Sequence, residues 1–136
     1  MSEGDPERLR KAYDAFNEGG VRAILELLDP EIQVRERPTM PDAATYHGRT
    51  GVKKMFDSMV EAFDDLQYEV VEVIDHGRYV LVILKQHVRG RSSQIRVGAN
   101  TVHVWELREG RPIALMIFGS KEHALASVER SELKSI

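Results

Sequence analysis

The sequence lacks cysteine, which excludes disulfide bonds, a thiolate nucleophile and thiolate metal sites. It also lacks a long apolar run, because the longest, Tyr79 to Leu84, is far shorter than the roughly 20 residues that span a bilayer. The first residues, Met1 to Asp5, are acidic and are not typical of a secretory signal. We therefore expect a soluble, cytoplasmic protein without a membrane partner, a metal or a cofactor.

An excess of charge of one sign is missing too. The formal net charge is −3 at pH 7, and the 30% of charged residues intermix both signs. Proteins that bind nucleic acid usually carry a basic patch, so we expect no nucleic-acid partner. The 136 residues contain no repeat and no linker, which predicts one domain over 1–136 with its core over about 6–128.

The hydrophobic pattern is mainly helical up to about residue 63 and strand-like after it. Asp5 is a good N-cap and Pro6 fits the first helical turn. Apolar residues at helical spacing predict helices over about 6–18, 21–28 and 50–63. Period-2 and continuous apolar runs predict strands over 32–36, 66–74, 79–88, 94–107 and 112–118. Residues 38–45 are expected to form a loop, and Ser120 is expected to cap a last short helix.

Two of these strands, at 79–84 and 114–118, carry apolar residues at both odd and even positions. Antiparallel strands of this kind are expected to be buried on both faces of the sheet. The helices are expected to cover only one face of a four- or five-stranded sheet, so a second copy of the chain is the simplest cover for the other. We expect a homodimer through the outer sheet face.

The order of elements resembles that of the nuclear transport factor 2-like superfamily, and within it the SnoaL-like and ketosteroid isomerase-like proteins. The resemblance covers about residues 6–128. It implies an α+β fold, a cone-shaped barrel of a curved, mostly antiparallel sheet with N-terminal helices packed on its concave face. The motifs that carry it are, in chain order, 16–20 (FNEGG), 27–32 (LLDPEI), 47–52 (HGRTGV), 105–111 (WELREGR) and 118–121 (FGSK).

Glu36 is the first candidate for a catalytic residue. It shares strand parity with Ile32 and Val34 and should point toward the core. By the resemblance, it matches the carboxylate that acts as general base in ketosteroid isomerases, although it could instead pair with a nearby arginine, Arg35, Arg37 or Arg49. His47, just before the third helix, is a second candidate acid or base, and packing of the loop is its alternative role.

An apolar pocket with a few polar groups is expected to bind a small apolar molecule. The residues expected to line it are Phe16, Met40, Tyr46, Phe56, Met59, Val60, Gln86, Asn100, Val102, Met116 and Phe118.

The resemblance also indicates what the pocket is missing. The tyrosine that stabilises an oxyanion in the isomerases would fall at Ala12, with Tyr13 pointing elsewhere, and their second donor would fall near Val102. We therefore do not expect steroid isomerisation. His87, His103 and Trp105 are expected on the outer sheet face, where the histidines would pack in the interface or bind a metal there.

Three functions remain open. The protein could be an isomerase, cyclase or lyase that uses the pocket carboxylate for proton transfer. It could be a module that binds an apolar ligand without turnover. It could also be a dimeric interaction protein whose outer sheet face binds a different protein.

Overall fold

A computed structural model of the chain describes residues 4–36 and 44–134, with side chains as far as residue 130. The elements are α1 (Asp5–Gly19), two 3₁₀ turns (Val21–Ala23 and Leu25–Leu27), β1 (Gln33–Glu36), β2 (Thr45–His47), α2 (Gly48–Ala62), β3 (Phe63–His76), β4 (Tyr79–Gly90), β5 (Arg96–Arg108), β6 (Arg111–Phe118) and α3 (Lys121–Lys134).

Two of these elements differ from expectation. The second predicted helix is a pair of 3₁₀ turns. Most of the loop expected over 38–45 lies outside the described residues, and its last residue, Thr45, begins the short strand β2. Helix α1 begins at Asp5, but no side chain caps its first turn. Ser120 does cap α3, since its Oγ accepts the amide of His123 at 3.2 Å.

The strands form one six-stranded sheet in the order β2-β1-β6-β5-β4-β3. Only β1 and β6 run parallel, and the other neighbouring pairs are antiparallel. The sheet is curved and unclosed, and α1 and α2 lie on its concave face. The predicted α+β cone with N-terminal helices on the concave face is confirmed.

The main core lies between the concave face and the two N-terminal helices. Helix α1 contributes Leu9, Tyr13 and Phe16, which lie four and three residues apart and therefore on one side of the helix. The sheet contributes Val82 and Leu84, which are fully buried. This packing positions the interior side of α1 over the middle of the sheet.

A second apolar cluster lies on the outer face of the sheet, beneath helix α3. Ala124 and Val128 of α3 are fully buried against this face, where they pack in one cluster with Leu81, Val104 and Phe118. Strands with apolar side chains on both faces do need a covering layer on each face of the sheet, but α3 of the same chain supplies part of the outer layer. The argument that the helices cover one face only is therefore wrong, and the homodimer stays a prediction.

In the part of the chain that the structure describes, no helix is both long and apolar enough to cross a membrane.

Candidate functional site

The pairing of β4 with β5 decides which side chains of β5 enter the concave side. His103 lies opposite Val82 and Trp105 opposite Val80, and both valines belong to the main core. His103 is 2% exposed and Trp105 is 6% exposed. The prediction that both side chains face outward is wrong, because residues of equal parity in β4 and β5 lie on opposite faces in this register.

Tyr13, His103 and Trp105 form a buried hydrogen-bonded network between α1 and the sheet. The Tyr13 hydroxyl lies 2.6 Å from Nδ1 of His103. The indole Nε1 of Trp105 donates to the Tyr13 hydroxyl oxygen at 2.9 Å. Tyr13, which the resemblance places in a direction away from the family's oxyanion donor, is the residue of α1 whose hydroxyl reaches His103.

This network leaves one hydrogen-bond donor unused. A neutral imidazole carries one N–H, a tyrosine one O–H and a tryptophan one N–H, which makes three donors for two hydrogen bonds. If Tyr13 donates to Nδ1, the His103 Nε2–H is left over. If Nδ1–H donates to Tyr13, the Tyr13 hydroxyl proton is left over. Either tautomer therefore has one donor available to a ligand.

Burial holds the network in its neutral form. The pKa of His103 is lowered to about 3, because desolvation disfavours the imidazolium. Burial likewise raises the pKa of the Tyr13 phenol well above its usual range, although the hydrogen bond from Trp105 partly opposes this. At neutral pH both groups are uncharged, so the leftover donor is a neutral one.

A cavity of about 180 Å³ lies beside this network. Glu36, at the end of β1, contributes a carboxylate to its wall. Gln86 and Tyr68 contribute an amide and a phenol, and among the described residues neither side-chain polar group has a hydrogen-bond partner. The cavity is lined by Glu36, Met55, Met59, Tyr68, Gln86, His103 and Ile117.

Tyr68 connects the carboxylate with the network electrostatically. Its ring lies 5.8 Å from that of Tyr13 and 5.3 Å from that of His103, edge-on in both cases. Burial raises the pKa of the Tyr68 phenol strongly, and the negative charge of Glu36 raises it further. Tyr68 is therefore also a neutral donor, and Glu36 is the charged group of this cavity.

Glu36 is not engaged by an arginine among the described residues. Arg49 donates Nε and Nη2 to the carbonyl oxygen of Leu28, at 2.9 and 2.7 Å. Arg35 has the opposite strand parity and is exposed. Arg37 lies outside the described residues. The carboxylate is half-buried and its acceptor capacity is open to a ligand.

Several other residues expected in the pocket lie on the interior side. Phe16 and Phe56 are buried with ring centroids 5.0 Å apart. Tyr46 is half-buried on β2 and packs against the main core. Partial burial raises the pKa of its phenol, and the Glu36 charge adds to this effect. Met40 lies outside the described residues.

The remaining residues expected there lie elsewhere. Asn100, Val102, Met116 and Phe118 have the parity of the outer face, where Val102 and Phe118 belong to the cluster beneath α3. Alternation along a single strand does not define which face of the sheet each set of side chains occupies, because that depends on how β4, β5 and β6 pair. Val60 is 50% exposed on α2, on the side away from the core.

His47 does not enter the cavity. Its ring is exposed and its Nε2 lies 3.1 Å from a carboxylate oxygen of Glu31, which is exposed as well. The position of His47 near the start of α2 is therefore accounted for by an exposed pair with Glu31, and no catalytic role is needed to explain it. His87 does lie on the outer face as predicted, with its Nε2 3.2 Å from Glu69.

Sequence reasoning missed Tyr13, Tyr68 and His103 as members of the site. Tyr13 had a usable signal, since it follows Leu9 by four residues and precedes Phe16 by three. Tyr68 and His103 had none, because their faces depend on strand pairing. Among the side chains described, in 4–36 and 44–130, no three of His, Asp or Glu are grouped so that they could hold a metal ion.

Solved structures with the same fold support this arrangement of elements. The chain is similar to an NTF2-like protein of unknown function from Burkholderia pseudomallei, with 18% identity, a TM-score of 0.75, and coverage of 91% of this chain and 96% of that one. It is also similar to TerC, which was co-crystallized with polyporic acid, with 18% identity, a TM-score of 0.75, and coverage of 93% and 99%.

A third similar structure is that of SalBIII, an epoxide hydrolase/cyclase-like enzyme with a role in pyran ring formation in the polyether salinomycin. It is 25% identical, with a TM-score of 0.73 and coverage of 90% of this chain and 96% of that one. A comparison with curated proteins found no match.

The family itself follows from the sequence match. The SnoaL-like domain matches residues 9–114, which is most of the chain and spans every element from α1 to the middle of β6. Those residues contain the Tyr13–His103–Trp105 network and Glu36 alike. The chain therefore belongs to the family of SnoaL-like domains, as the resemblance predicted.

Proposed function

We propose that this protein is an enzyme that moves a proton within a small, largely apolar carbonyl compound, with Glu36 as the base. One observation carries the proposal: the cavity is lined by a carboxylate that no described residue pairs with and by His103, whose network has one unused neutral donor. A reaction that removes a proton next to a carbonyl needs both groups, because negative charge develops on the oxygen as the proton leaves.

The roles follow from the chemistry of each group. Glu36 takes a proton from the carbon next to the carbonyl, and the electron pair of that C–H bond moves onto the carbonyl oxygen. The leftover donor of the Tyr13–His103 pair hydrogen-bonds that oxygen. Protonated Glu36 then returns the proton to another carbon of the same compound, so the reaction is an isomerisation without a co-reactant.

The neutrality of the donor suits this role. A neutral donor with no charge of its own binds the uncharged ketone weakly and the developing oxyanion strongly, which is the difference that accelerates a reaction. Trp105 holds the Tyr13 oxygen in place through its own hydrogen bond, so the donor is positioned before the substrate binds.

Exchange of hydrogen for deuterium tests the proposal without knowledge of the product. An apolar cyclic ketone incubated with the protein in D₂O should gain deuterium next to its carbonyl, because the partly exposed Glu36 carboxyl exchanges its proton with the solvent before returning one. Mass spectrometry measures this gain. Glu36→Gln should slow this exchange by about 100-fold or more, because a positioned base contributes about 10²–10⁴-fold. Glu31→Gln, which alters an exposed carboxylate that pairs with His47, is the matched control and should leave the rate unchanged.

Two results would count against the enzyme. If ketones bind, as shown by a raised melting temperature, and no exchange exceeds the protein-free rate, the pocket is a binding module. If Glu36→Gln and the wild type exchange at equal rates, another group is the base.

The likeness to SalBIII favours a second reaction of the same groups. In an intramolecular ring closure, Glu36 would take the proton of a substrate hydroxyl while the unused donor hydrogen-bonds an epoxide oxygen. The new C–O bond forms as the epoxide C–O bond breaks, and the proton returns to the epoxide oxygen. A hydroxy-epoxide that cyclises with the wild type and not with Glu36→Gln, while ketones show no exchange, would favour this cyclase over the isomerase.

A further inference from the structure

Two polar side chains of the Glu36 cavity come from neighbouring strands and lie side by side. Tyr68 of β3 is directly opposite Gln86 of β4 in the antiparallel register. The Cβ atoms of such a pair lie about 5 Å apart on one face of the sheet. Both residues line the cavity, so the sheet brings a phenol and an amide to the same part of its wall.

The Tyr68 hydroxyl is buried, has no hydrogen-bond partner and is still open to a ligand. In the part of the chain that the structure describes, the unpartnered side-chain atoms closed to solvent belong to Asp5 and Arg89. The hydroxyl of Tyr68, a residue only 6% exposed, is not one of them. Tyr68 also borders a narrow cavity of about 40 Å³ beneath α1, but that cavity exposes only apolar surface. The hydroxyl therefore opens into the Glu36 cavity.

Tyr68 is fixed by its backbone and by its ring. Nδ2 of Asn17 donates to the Tyr68 carbonyl oxygen at 2.7 Å, and the Tyr68 amide donates to Asn17 Oδ1 at 2.8 Å. The ring centroid lies 5.4 Å from that of Phe16 and 5.3 Å from that of His103. A donor held in this way loses little freedom when a ligand binds, so its hydrogen bond contributes to affinity.

The groups around the pair define what it binds. Of the described residues that line the cavity, none is positively charged and Glu36 is negative, which disfavours an anionic ligand group. An ammonium group accepts no hydrogen bond and would leave the Tyr68 proton unused. A hydroxyl group accepts from the Tyr68 O–H and donates to the Gln86 side-chain oxygen at the same time, whereas a carbonyl group leaves that oxygen without a donor.

The size of the cavity limits the rest of the ligand. Its volume is about 180 Å³, and the other wall residues are the apolar Met55, Met59 and Ile117. An apolar cavity of about 150 Å³ holds one benzene ring. The space near Glu36 therefore suits a single six-membered ring, and the oxygen atoms that its polar groups bind belong to that ring.

We propose that Tyr68 and Gln86 form a hydroxyl-binding subsite, and that the substrate is a six-membered cyclic ketone with a hydroxyl group on its ring. The ring hydroxyl lies between the Tyr68 phenol and the Gln86 amide. The carbonyl lies at the donor of the Tyr13–His103 pair, a placement that rests on the proposed function. Tyr68 and Gln86 thus select substrates by their second oxygen.

Phenol and its hydroxylated derivatives test the subsite, because a phenol is a planar six-membered ring whose oxygen accepts a hydrogen bond as the substrate oxygen would. The probes are phenol, catechol, resorcinol and hydroquinone, and NMR titration measures their affinities. At least one dihydroxybenzene should bind the wild type about tenfold more tightly than phenol, as expected for two added hydrogen bonds between neutral groups. The proposal would be overturned if none did, or if no probe bound.

The matching fluorophenol separates hydrogen bonding from packing. Fluorine occupies the position of the second hydroxyl but donates no hydrogen bond, so this probe should bind no more tightly than phenol. A gain equal to that of the dihydroxybenzene would mean that filled space, and not the polar pair, tightens binding.

Four variants assign the gain to the pair. Tyr68→Phe and Gln86→Leu should each lower it to about threefold or less, because each removes one of the two hydrogen bonds. Tyr79→Phe removes a phenol hydroxyl from the cluster beneath α3, and Gln33→Leu removes an exposed amide of β1, so both should keep the full gain. A full gain in Tyr68→Phe and in Gln86→Leu would mean that another group, such as Glu36, binds the hydroxyl, and would overturn the assignment.

The subsite and the proposed function fail in different ways. If the gain depends on Tyr68 and Gln86 but Glu36→Gln leaves deuterium exchange unchanged, the subsite stands and the base assignment falls. If exchange depends on Glu36 and the second hydroxyl adds no affinity, the enzyme stands and the subsite falls.

Discussion

Replacing His103 by glutamine should change how the stability of the protein depends on pH. His103 is held neutral with a pKa of about 3 in the folded protein, against about 6.5 for a histidine in the unfolded chain. Between these two values the unfolded state binds a proton that the folded state does not. Stability therefore falls as the pH is lowered from about 6.5 toward 3.

The size of the effect follows from the same two values. Each pH unit inside the window contributes about 1.4 kcal/mol, so His103 alone lowers the free energy of unfolding by about 3 kcal/mol between pH 7 and pH 4. Glutamine at 103 does not titrate but can still hydrogen-bond the Tyr13 hydroxyl. His103→Gln is expected to be less stable than the wild type at pH 7, and the gap should shrink by about 3 kcal/mol at pH 4.

Urea unfolding at a series of pH values between 7 and 4, followed by circular dichroism, measures both curves. Carboxylates titrate in the same range in both proteins, so the difference between the curves isolates residue 103. His123→Gln changes an exposed histidine of α3 and is the matched control, whose curve should run parallel to that of the wild type.

Parallel curves for His103→Gln and the wild type would refute the reasoning, because they would mean that His103 binds protons equally in both states. NMR spectra of the ring nitrogens provide an independent check. They should show a neutral imidazole in the folded protein down to about pH 4, and they identify which nitrogen carries the proton, hence which of the two donors is left over.

Three further outcomes are expected. Tyr13→Phe should lower the free energy of unfolding by about 2–4 kcal/mol in urea titrations, because two buried polar groups lose their partner; a loss below 1 kcal/mol would contradict the network. Val128→Ala should cost about 2 kcal/mol by the same method, since Val128 is fully buried; no loss would contradict the packing of α3. Met59→Ala should change the affinity for an apolar cyclic ketone whereas Val60→Ala should not, because Met59 lines the cavity and Val60 does not; equal effects of the two substitutions would mean that the ketone binds elsewhere.

Most of the fold could be predicted from the sequence, because periodicity is a local property. Helical spacing located α1 and α2, and the apolar runs located β3 to β6, each within a few residues of its observed bounds. The segment after α1 was predicted less well, since two 3₁₀ turns and a short helix bury the same residues. The outer layer was also misjudged, because the amphipathic pattern of α3 indicates that one side of the helix is buried but not which face of the sheet it covers.

The sequence by itself determined the family, the order of elements and the inward position of Glu36. The inward position of Glu36 was predictable because Glu36 follows Ile32 and Val34 at every second residue. Side chains along a strand alternate between its two faces, so Glu36 lies on the same face as these two apolar residues.

The tertiary structure alone decided which polar groups accompany Glu36. Strands β4 and β5 pair across a turn, and a shift of one residue in that pairing would exchange every inward side chain of β5 for its outward neighbour. In the register that forms, His103 and Trp105 enter the interior and Asn100 and Val102 leave it. The helix packing adds Tyr13 at hydrogen-bonding distance from His103. A contact between residues 90 positions apart is set by packing, and no local pattern in the sequence encodes it.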